Sequence, residues 1–361
     1  MLKEPFRVIK MLSEELQLLK QIVEEFSEKI VDPSAIKIER EGISQEILNS
    51  LAEKGFLGAL APVEYGGASL DEMGYNVLLQ VLAKHSPSVA FYVFLQNSLF
   101  INPILKYGTK EVIEDVVPKV ATGKASGSIV NYLLNDNKIH IDGLSISGNA
   151  DLVPNSNAGM FLVLASSGNE SKLVLTDSGF SIAGDSRKLG FRGLRFSSLS
   201  FNGAKAKYVL IDENAERAVR NIYDESSAHI SAMALGMSES ALDKAVGYAK
   251  ERQAFEAHLI EFQPIAFMLA KLTAEFNIYE KYLYSISSVR EAMMLKALSL
   301  EFSKNVSRAS LQVHGGYGYI EDSGVERFYR DTMALELLTS SHISEMSELS
   351  RELLGGESAK Y

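Results

Sequence analysis

Gln312-Val313-His314-Gly315-Gly316-Tyr317-Gly318-Tyr319, followed by Val325-Glu326-Arg327-Phe328-Tyr329-Arg330-Asp331, is the stretch on which the reading of this chain turns. Three glycines so close together invite a dinucleotide fingerprint. The G-x-G-x-x-G spacing fails at Glu321, however, and no strand-helix-strand pattern surrounds the run, so Rossmann-type binding is excluded. What remains is a glycine turn that leaves backbone N–H groups open to a ligand, set between two helical patterns.

Upstream, Ile265, Met268, Leu272, Phe276, Tyr279, Leu283 and Ile286 recur at three- and four-residue steps. Leu295, Leu298, Phe302 and Val306 do the same, and all are read as core. With helices around Leu235 to Ala249 and Ala334 to Leu353, these stripes predict a four-helix bundle over residues 213–361. Between about Lys124 and Asp212 the pattern changes to short β-prone runs: Ile139 to Ile141, Leu144 to Ile146, Met160 to Ala165, Leu173 to Thr176, Leu199 to Phe201 and Tyr208 to Ile211. These predict a small barrel or sandwich over residues 124–212. Residues 1–123 read as a helical domain, in which Ser69 and Glu72 form a capping box ahead of the apolar face Tyr75, Leu78, Leu79, Leu82. The fold class is therefore α+β: helical domain, β domain, helical bundle.

Composition narrows the function. Among 361 residues, 36 basic against 46 acidic side chains give a net charge of -10, which argues against nucleic-acid binding. The absence of cysteine removes thiolate catalysis and zinc-thiolate sites. The six histidines are scattered singly, so no metal site is expected. No G-x-S-x-G elbow places a nucleophile, and Pro118 stands where a phosphate loop ending in Gly123-Lys124 needs its leading glycine. Charged residues interrupt Met1 to Ile30, so neither a signal peptide nor a membrane span is expected there, and the cytoplasm is the default location.

Several segments together resemble the acyl-CoA dehydrogenase family along nearly the whole chain. These are Leu57 to Gly67 (LGALAPVEYGG), Lys188 to Arg192 (KLGFR), Arg252-Gln253-Ala254-Phe255 with Phe262-Gln263, and the opening stretch. The resemblance implies a flavoprotein oxidoreductase of fatty acid metabolism that binds FAD between subunits. Arg252, Phe255, Gln263, Gln312, Gly315 and Gly316 would clasp its pyrophosphate and adenine end. Arg252 offers a charged planar fork for phosphate oxygens, and the paired glycines allow close backbone approach. The alternative takes Arg252 as a solvated charge and the glycines as a turn.

The family reaction removes a proton from the α carbon of an acyl thioester as hydride leaves the β carbon, and it needs a placed carboxylate. Aligned on Arg330-Asp331, the base position falls on Thr339, followed by Ser340 and Ser341. The second place where family members carry the base falls on Ser226. The catalytic residue is thus unknown, with Glu225 and Glu336 as substitutes close by. The flavin-ring side departs too: Asn131 to Asn137 is a shortened loop, and Leu152-Val153-Pro154 replaces a tryptophan-bearing strand. The resemblance then implies a subunit that clasps FAD for a glutamate-bearing homologous partner in a homo- or hetero-tetramer. An electron-transfer flavoprotein would be the redox partner if the protein is active on acyl-CoA. Two further readings stay open: a structural or acyl-CoA-binding homologue without redox chemistry, and a flavin monooxygenase or oxidase of the same fold.

Overall fold

How closely helices approach one another is set here by small side chains. The computed structural model describes residues 12–130, 139–339, 346–347 and 350–351. They fall into two compact units. One takes its described residues from Met1–Ile36, Asn76–Pro87 and Ser227–Tyr361, the other from Lys37–Tyr75 and Ser88–Ser226.

The first unit is helical. It contains α1 (Glu14–Phe26), most of α4 (Glu72–His85), and the bundle α9 (Ser227–Glu251), α10 (Gln263–Leu283), α11 (Val289–His314) and α12 (Glu326–Thr339). Helix α9 packs most extensively on α11. Two of its serines help make this possible, because their hydroxyls are satisfied inside the helix: Ser231 and Ser238 donate to the carbonyls of Ser227 and Ala234, both at 2.8 Å. Gly236 marks the tightest approach, since a Cβ there would stand 2.1 Å from the Gln80 carbonyl oxygen on α4.

A chain of polar groups runs through this unit. Gln80 donates to Glu280 at 2.8 Å and accepts from the Tyr284 hydroxyl. Lys84 pairs with Glu24 at 3.0 Å and with the buried Glu239 at 3.3 Å. His85 lies between Asp32 and Glu24, at 2.9 and 2.7 Å. Burial alone would push the His85 pKa down, but hydrogen bonds to the two carboxylates prevail and raise it to about 9.

Of the stripes on α10 and α11, Leu272, Phe276, Leu283, Leu295, Phe302 and Val306 are core, whereas Ile265, Met268 and Tyr279 are half-buried. Leu298 is 45% exposed, whereas Lys296 is only 2% exposed. The exchange is physical: the buried face of α11 passes Leu295, Lys296, Ser299, Leu300 and Ser303, and the ammonium of Lys296 donates to the Thr339 carbonyl at the end of α12. Ile286 lies beyond the end of α10 at Leu283. The Ser69 capping box is also corrected. Ser69 takes a left-handed φ of 51°, and Asp71 caps α4 by accepting the Gly74 N–H at 2.7 Å. Tyr75, Leu78, Leu79 and Leu82 are fully buried, as their spacing predicts.

The second unit joins α3 (Gln45–Glu53), α5 (Pro87–Gln96), α6 (Asn102–Tyr107), α7 (Lys110–Ala121) and α8 (Ala215–Glu225) to the strands. The strands are β1 (Gly127–Ile129), β2 (Ile139–Asp142), β3 (Ser145–Pro154), β4 (Met160–Ser167), β5 (Glu170–Thr176), β6 (Phe180–Ile182), β7 (Phe196–Lys205) and β8 (Tyr208–Ile211). They form one sheet in the order β6-β7-β3-β2-β4-β5-β8, with β1 parallel to β4. Its core is built on Phe161, which meets Phe180 edge-on at 4.9 Å, and on Val163, Val174 and Leu199.

Both family-like segments of this unit prove to be anchors. In the 57–67 turn, a Cβ on Gly67 would lie 2.0 Å from the Ala61 oxygen, so the turn closes only with glycine. The Asn97 side chain holds that turn by donating to the Phe56 carbonyl at 3.0 Å and accepting the Leu60 N–H at 3.1 Å. In the 188–192 segment, Phe191 is fully buried with a φ of 48° and stacks on Phe91 at 4.4 Å. The stretch Pro87–Tyr107 is long and apolar enough to cross a membrane by length and composition, and 89% of its apolar 18-residue window is buried inside the protein.

Candidate functional site

Helix α9 ends where the Arg252 N–H bonds the Tyr248 carbonyl at 2.8 Å. The chain then makes a tight hairpin, with β9 (Gln253–Ala254) antiparallel to β10 (Ala257–His258). Its two turn residues, Phe255 and Glu256, both have left-handed φ, 50° and 65°. That is the geometry of a two-residue type I′ connection, which usually takes Asn-Gly. The Leu259 N–H returns to the Arg252 carbonyl at 2.9 Å and closes the loop.

Opposite the hairpin, α11 stops at Gly315, whose φ of 55° and ψ of -131° suit only glycine. The three glycines of this turn have different reasons to be there. Gly318 is packed, because a Cβ would meet the Leu311 carbonyl at 2.7 Å. Gly315 is conformational. Gly316 has open space within 4 Å of its Cβ direction, so its backbone stands bare to the surroundings.

These elements border an open pocket of about 540 Å³ whose walls include Tyr248, Arg252, His314, Gly315, Gly316 and Tyr317. Arg252 has no ion-pair or hydrogen-bond partner for its guanidinium among the described residues. A free planar cation facing two uncovered glycine backbones has the donor chemistry that a pyrophosphate requires. The arrangement therefore fits a phosphate-bearing dinucleotide.

Not all of the expected clasp residues reach this cavity. Arg252, Gly315 and Gly316 line it, whereas Phe255, Gln263 and Gln312 do not. Phe255 stands at the hairpin tip, 94% exposed. Gln263 is exposed at the first turn of α10 and Gln312 on the outer side of α11, with its main-chain carbonyl accepting the Gly315 N–H. Three lining aromatics escaped sequence reasoning: Tyr248, His314 and Tyr317. Tyr248 sits four residues before Arg252 on the same helix face, and that spacing was the available signal.

The second half of the opening stretch anchors α12. Phe328 and Asp331 are fully buried, and Arg327 donates to the His85 carbonyl at 3.1 Å. At the end of α12, Thr339 is buried, and its hydroxyl donates to the Leu335 carbonyl at 2.6 Å. Glu336 receives Lys304 on both carboxylate oxygens at 2.9 Å. In the other unit, Glu225 accepts a hydrogen bond from Lys106, which holds the lysine above its ordinary pKa. The Ser226 hydroxyl is buried and donates to the Ile222 carbonyl at 2.7 Å. Thr339, Glu336, Glu225 and Ser226 are thus each engaged within their own unit. Leu152 has a left-handed φ of 51° beside an irregularity in the pairing of β3 with β7, while Val153 and Pro154 are buried. Asn131 to Asn137, Ser340 and Ser341 lie outside the described residues.

Comparison with known proteins completes the picture. The subunit CarC of the caffeyl-CoA reductase-Etf complex of Acetobacterium woodii is 27% identical, over 88% of this chain and 93% of that protein. A 3-(aryl)acrylate reductase of Clostridium sporogenes is 26% identical over 92% and 97%. Among solved structures, a glutaryl-CoA dehydrogenase from Mycobacterium smegmatis in complex with FADH2 superposes with a TM-score of 0.89 at 19% identity, covering 97% of each chain. The acyl-CoA dehydrogenase N-terminal domain matches residues 13–124 and the C-terminal domain residues 217–340. The chain belongs to the acyl-CoA dehydrogenase family.

Proposed function

We propose that this protein is an FAD-containing subunit that acts on acyl-CoA thioesters and relies on a glutamate-bearing homologous subunit for proton abstraction. Bound FAD would supply a two-electron acceptor or donor for hydride. The chain's own part is recognition: the Arg252 guanidinium neutralises and orients the pyrophosphate, and the bare backbone at Gly315 and Gly316 allows it to come close. Phe255, Gln263 and Gln312, exposed around the cavity, would meet the adenine end or the partner subunit.

One observation carries the reading. Thr339, which falls at the family's base position when the chain is aligned on Arg330-Asp331, has its hydroxyl committed to its own helix, and Glu336, one turn before it, is bound by Lys304. The family match supports the FAD, as does the FADH2 in the solved relative. The relative named as a subunit of an Etf complex supports assembly with an electron-transfer flavoprotein.

The test is a visible spectrum of the purified protein, expressed alone and together with a glutamate-bearing homologue. The expected result is flavin absorbance bleached by acyl-CoA only in the co-expressed complex. A yellow homotetramer that bleaches with acyl-CoA on its own would overturn the proposal.

A further inference from the structure

A second open pocket, of about 270 Å³, lies in the unit that holds the sheet, and it shares no lining residue with the clasp. Three backbone N–H groups fix its walls. Ile43 donates to the Gly193 carbonyl at 3.1 Å, Ser156 to the Arg195 carbonyl at 3.1 Å, and Gly193 to the hydroxyl oxygen of Ser88 at the start of α5, at 3.2 Å.

The floor carries an acceptor that nothing uses. Asn155, only 4% exposed, follows β3 with a left-handed φ of 49°. Its side-chain nitrogen donates to the Gly127 carbonyl at 3.1 Å, and because a carbonyl can only accept, that bond settles which end of the amide is which. The other end, Oδ1, makes no hydrogen bond with any described residue, yet it is not sealed in and opens on the pocket. An oxygen on so buried a side chain is ordinarily paired. Beside it stands Tyr92, whose phenol is pushed up to about 12 by burial, so the floor itself is uncharged.

Charge sits at the rim, in both signs. Among the described residues Glu41 has only Lys37, at 3.8 Å on its own helix, and Arg195 has only the Ala183 carbonyl, at 3.4 Å. No ion pair joins Glu41 to Arg195 there. By contrast, Asp185 accepts the Phe196 N–H at 2.8 Å, and Arg192 also has a partner within the protein. A bare anion would find Glu41 and Asp185 against it, and a bare cation would find Arg192 and Arg195. A ligand with both charges close together avoids each conflict. Ile43, Leu48 and Leu194 supply an apolar wall beside these groups.

We propose that this pocket binds a zwitterionic α-amino acid with an apolar side chain, its ammonium on Asn155 Oδ1 and the Glu41 carboxylate, its carboxylate on the Arg195 guanidinium. The site is independent of the clasp, so failure of the FAD reading would leave it standing.

The experiment is calorimetric titration of the full chain with L-leucine and with three probes that each lack one part of it. The probes are 4-methylpentanoate without the ammonium, 3-methylbutylamine without the carboxylate, and glycine without the side chain. L-leucine is expected to bind, and each probe to bind about tenfold more weakly or worse. Glu41→Gln and Arg195→Ala change exposed side chains, so both should keep the wild-type melting temperature, and each should weaken L-leucine about tenfold. Asn155→Gly keeps the left-handed backbone and removes Oδ1, and it should weaken L-leucine as well. If that variant melts too low to titrate, the two rim variants decide. No L-leucine binding at millimolar concentration, a probe that binds as well as L-leucine, or L-leucine affinity unchanged by either rim variant would overturn the proposal.

Discussion

Two ends of one helical unit handle charge in opposite ways. At the hairpin end, the Arg252 guanidinium has no partner among the described residues, and none of them lies within 4 Å of the Cβ directions of Gly315 and Gly316. At the end of α12, Lys296 is 2% exposed and bonded to the Thr339 carbonyl, and Glu336 is closed by Lys304. A charge left open serves something that arrives later, whereas a charge closed from within serves the fold. By that measure the hairpin end is built for a ligand, and the end of α12 is built for stability.

The largest expected effect breaks the closed end. Lys296→Ala removes a buried stem and leaves the last carbonyls of α12 without their cation, so it should cost about 3 kcal/mol in urea unfolding. A cost within about 0.5 kcal/mol would remove Lys296 from the stabilising group. Next is Gly315→Ala, which forces an L-residue into glycine-only backbone and should cost about 1 to 3 kcal/mol by the same measurement.

A pH effect on the order of 1 kcal/mol should follow from the His85 cluster. The folded His85 has a pKa of about 9 against an ordinary 6.5, so its stabilisation is complete below 6.5 and is lost as pH rises through 9. Burial opposes the shift in Glu24, but the hydrogen bond from His85 and the charge of Lys84 hold its carboxyl at about 2 against 4.5. Its stabilisation is complete above 4.5 and is lost as pH falls towards 2. This unit should therefore be most stable between 4.5 and 6.5, and His85→Gln should flatten the alkaline side of a melting-temperature profile. An unchanged alkaline slope would count against the cluster.

The smallest stability effects belong to the open end. Arg252→Ala and Gly316→Ala should each change stability by less than about 0.5 kcal/mol. Arg252→Ala should nevertheless reduce pyrophosphate affinity about tenfold. A variant that loses stability and keeps the ligand would reverse the comparison.

Much of this was legible in the sequence, and the reasons differ by element. The long helices carry many turns of apolar period, and the glycine turn and Arg252 keep a recognisable spacing. Strands β1 and β6 escaped because three residues each are too few to show an alternation. His314 and Tyr317 escaped because the glycines dominate the reading of their run, and Tyr248 because its stretch reads only as a bundle helix. Lys296 and Leu298 exchanged places because composition alone cannot reveal that a lysine will find a helix end to bond. The Ser69 cap failed for a local reason: Asp71, two residues on, offered the α4 N–H groups a better-placed oxygen.

The way the two units divide the chain has a further consequence for biosynthesis. The unit holding the sheet draws on nothing beyond Ser226, so it can finish while the ribosome is still making α9. Helices α1 and α4, made far earlier, must wait for the bundle before their polar groups find Glu239 and Glu280. During that interval they are the nascent segments most in need of a chaperone, and slowing translation around the codons for α9 should lengthen it.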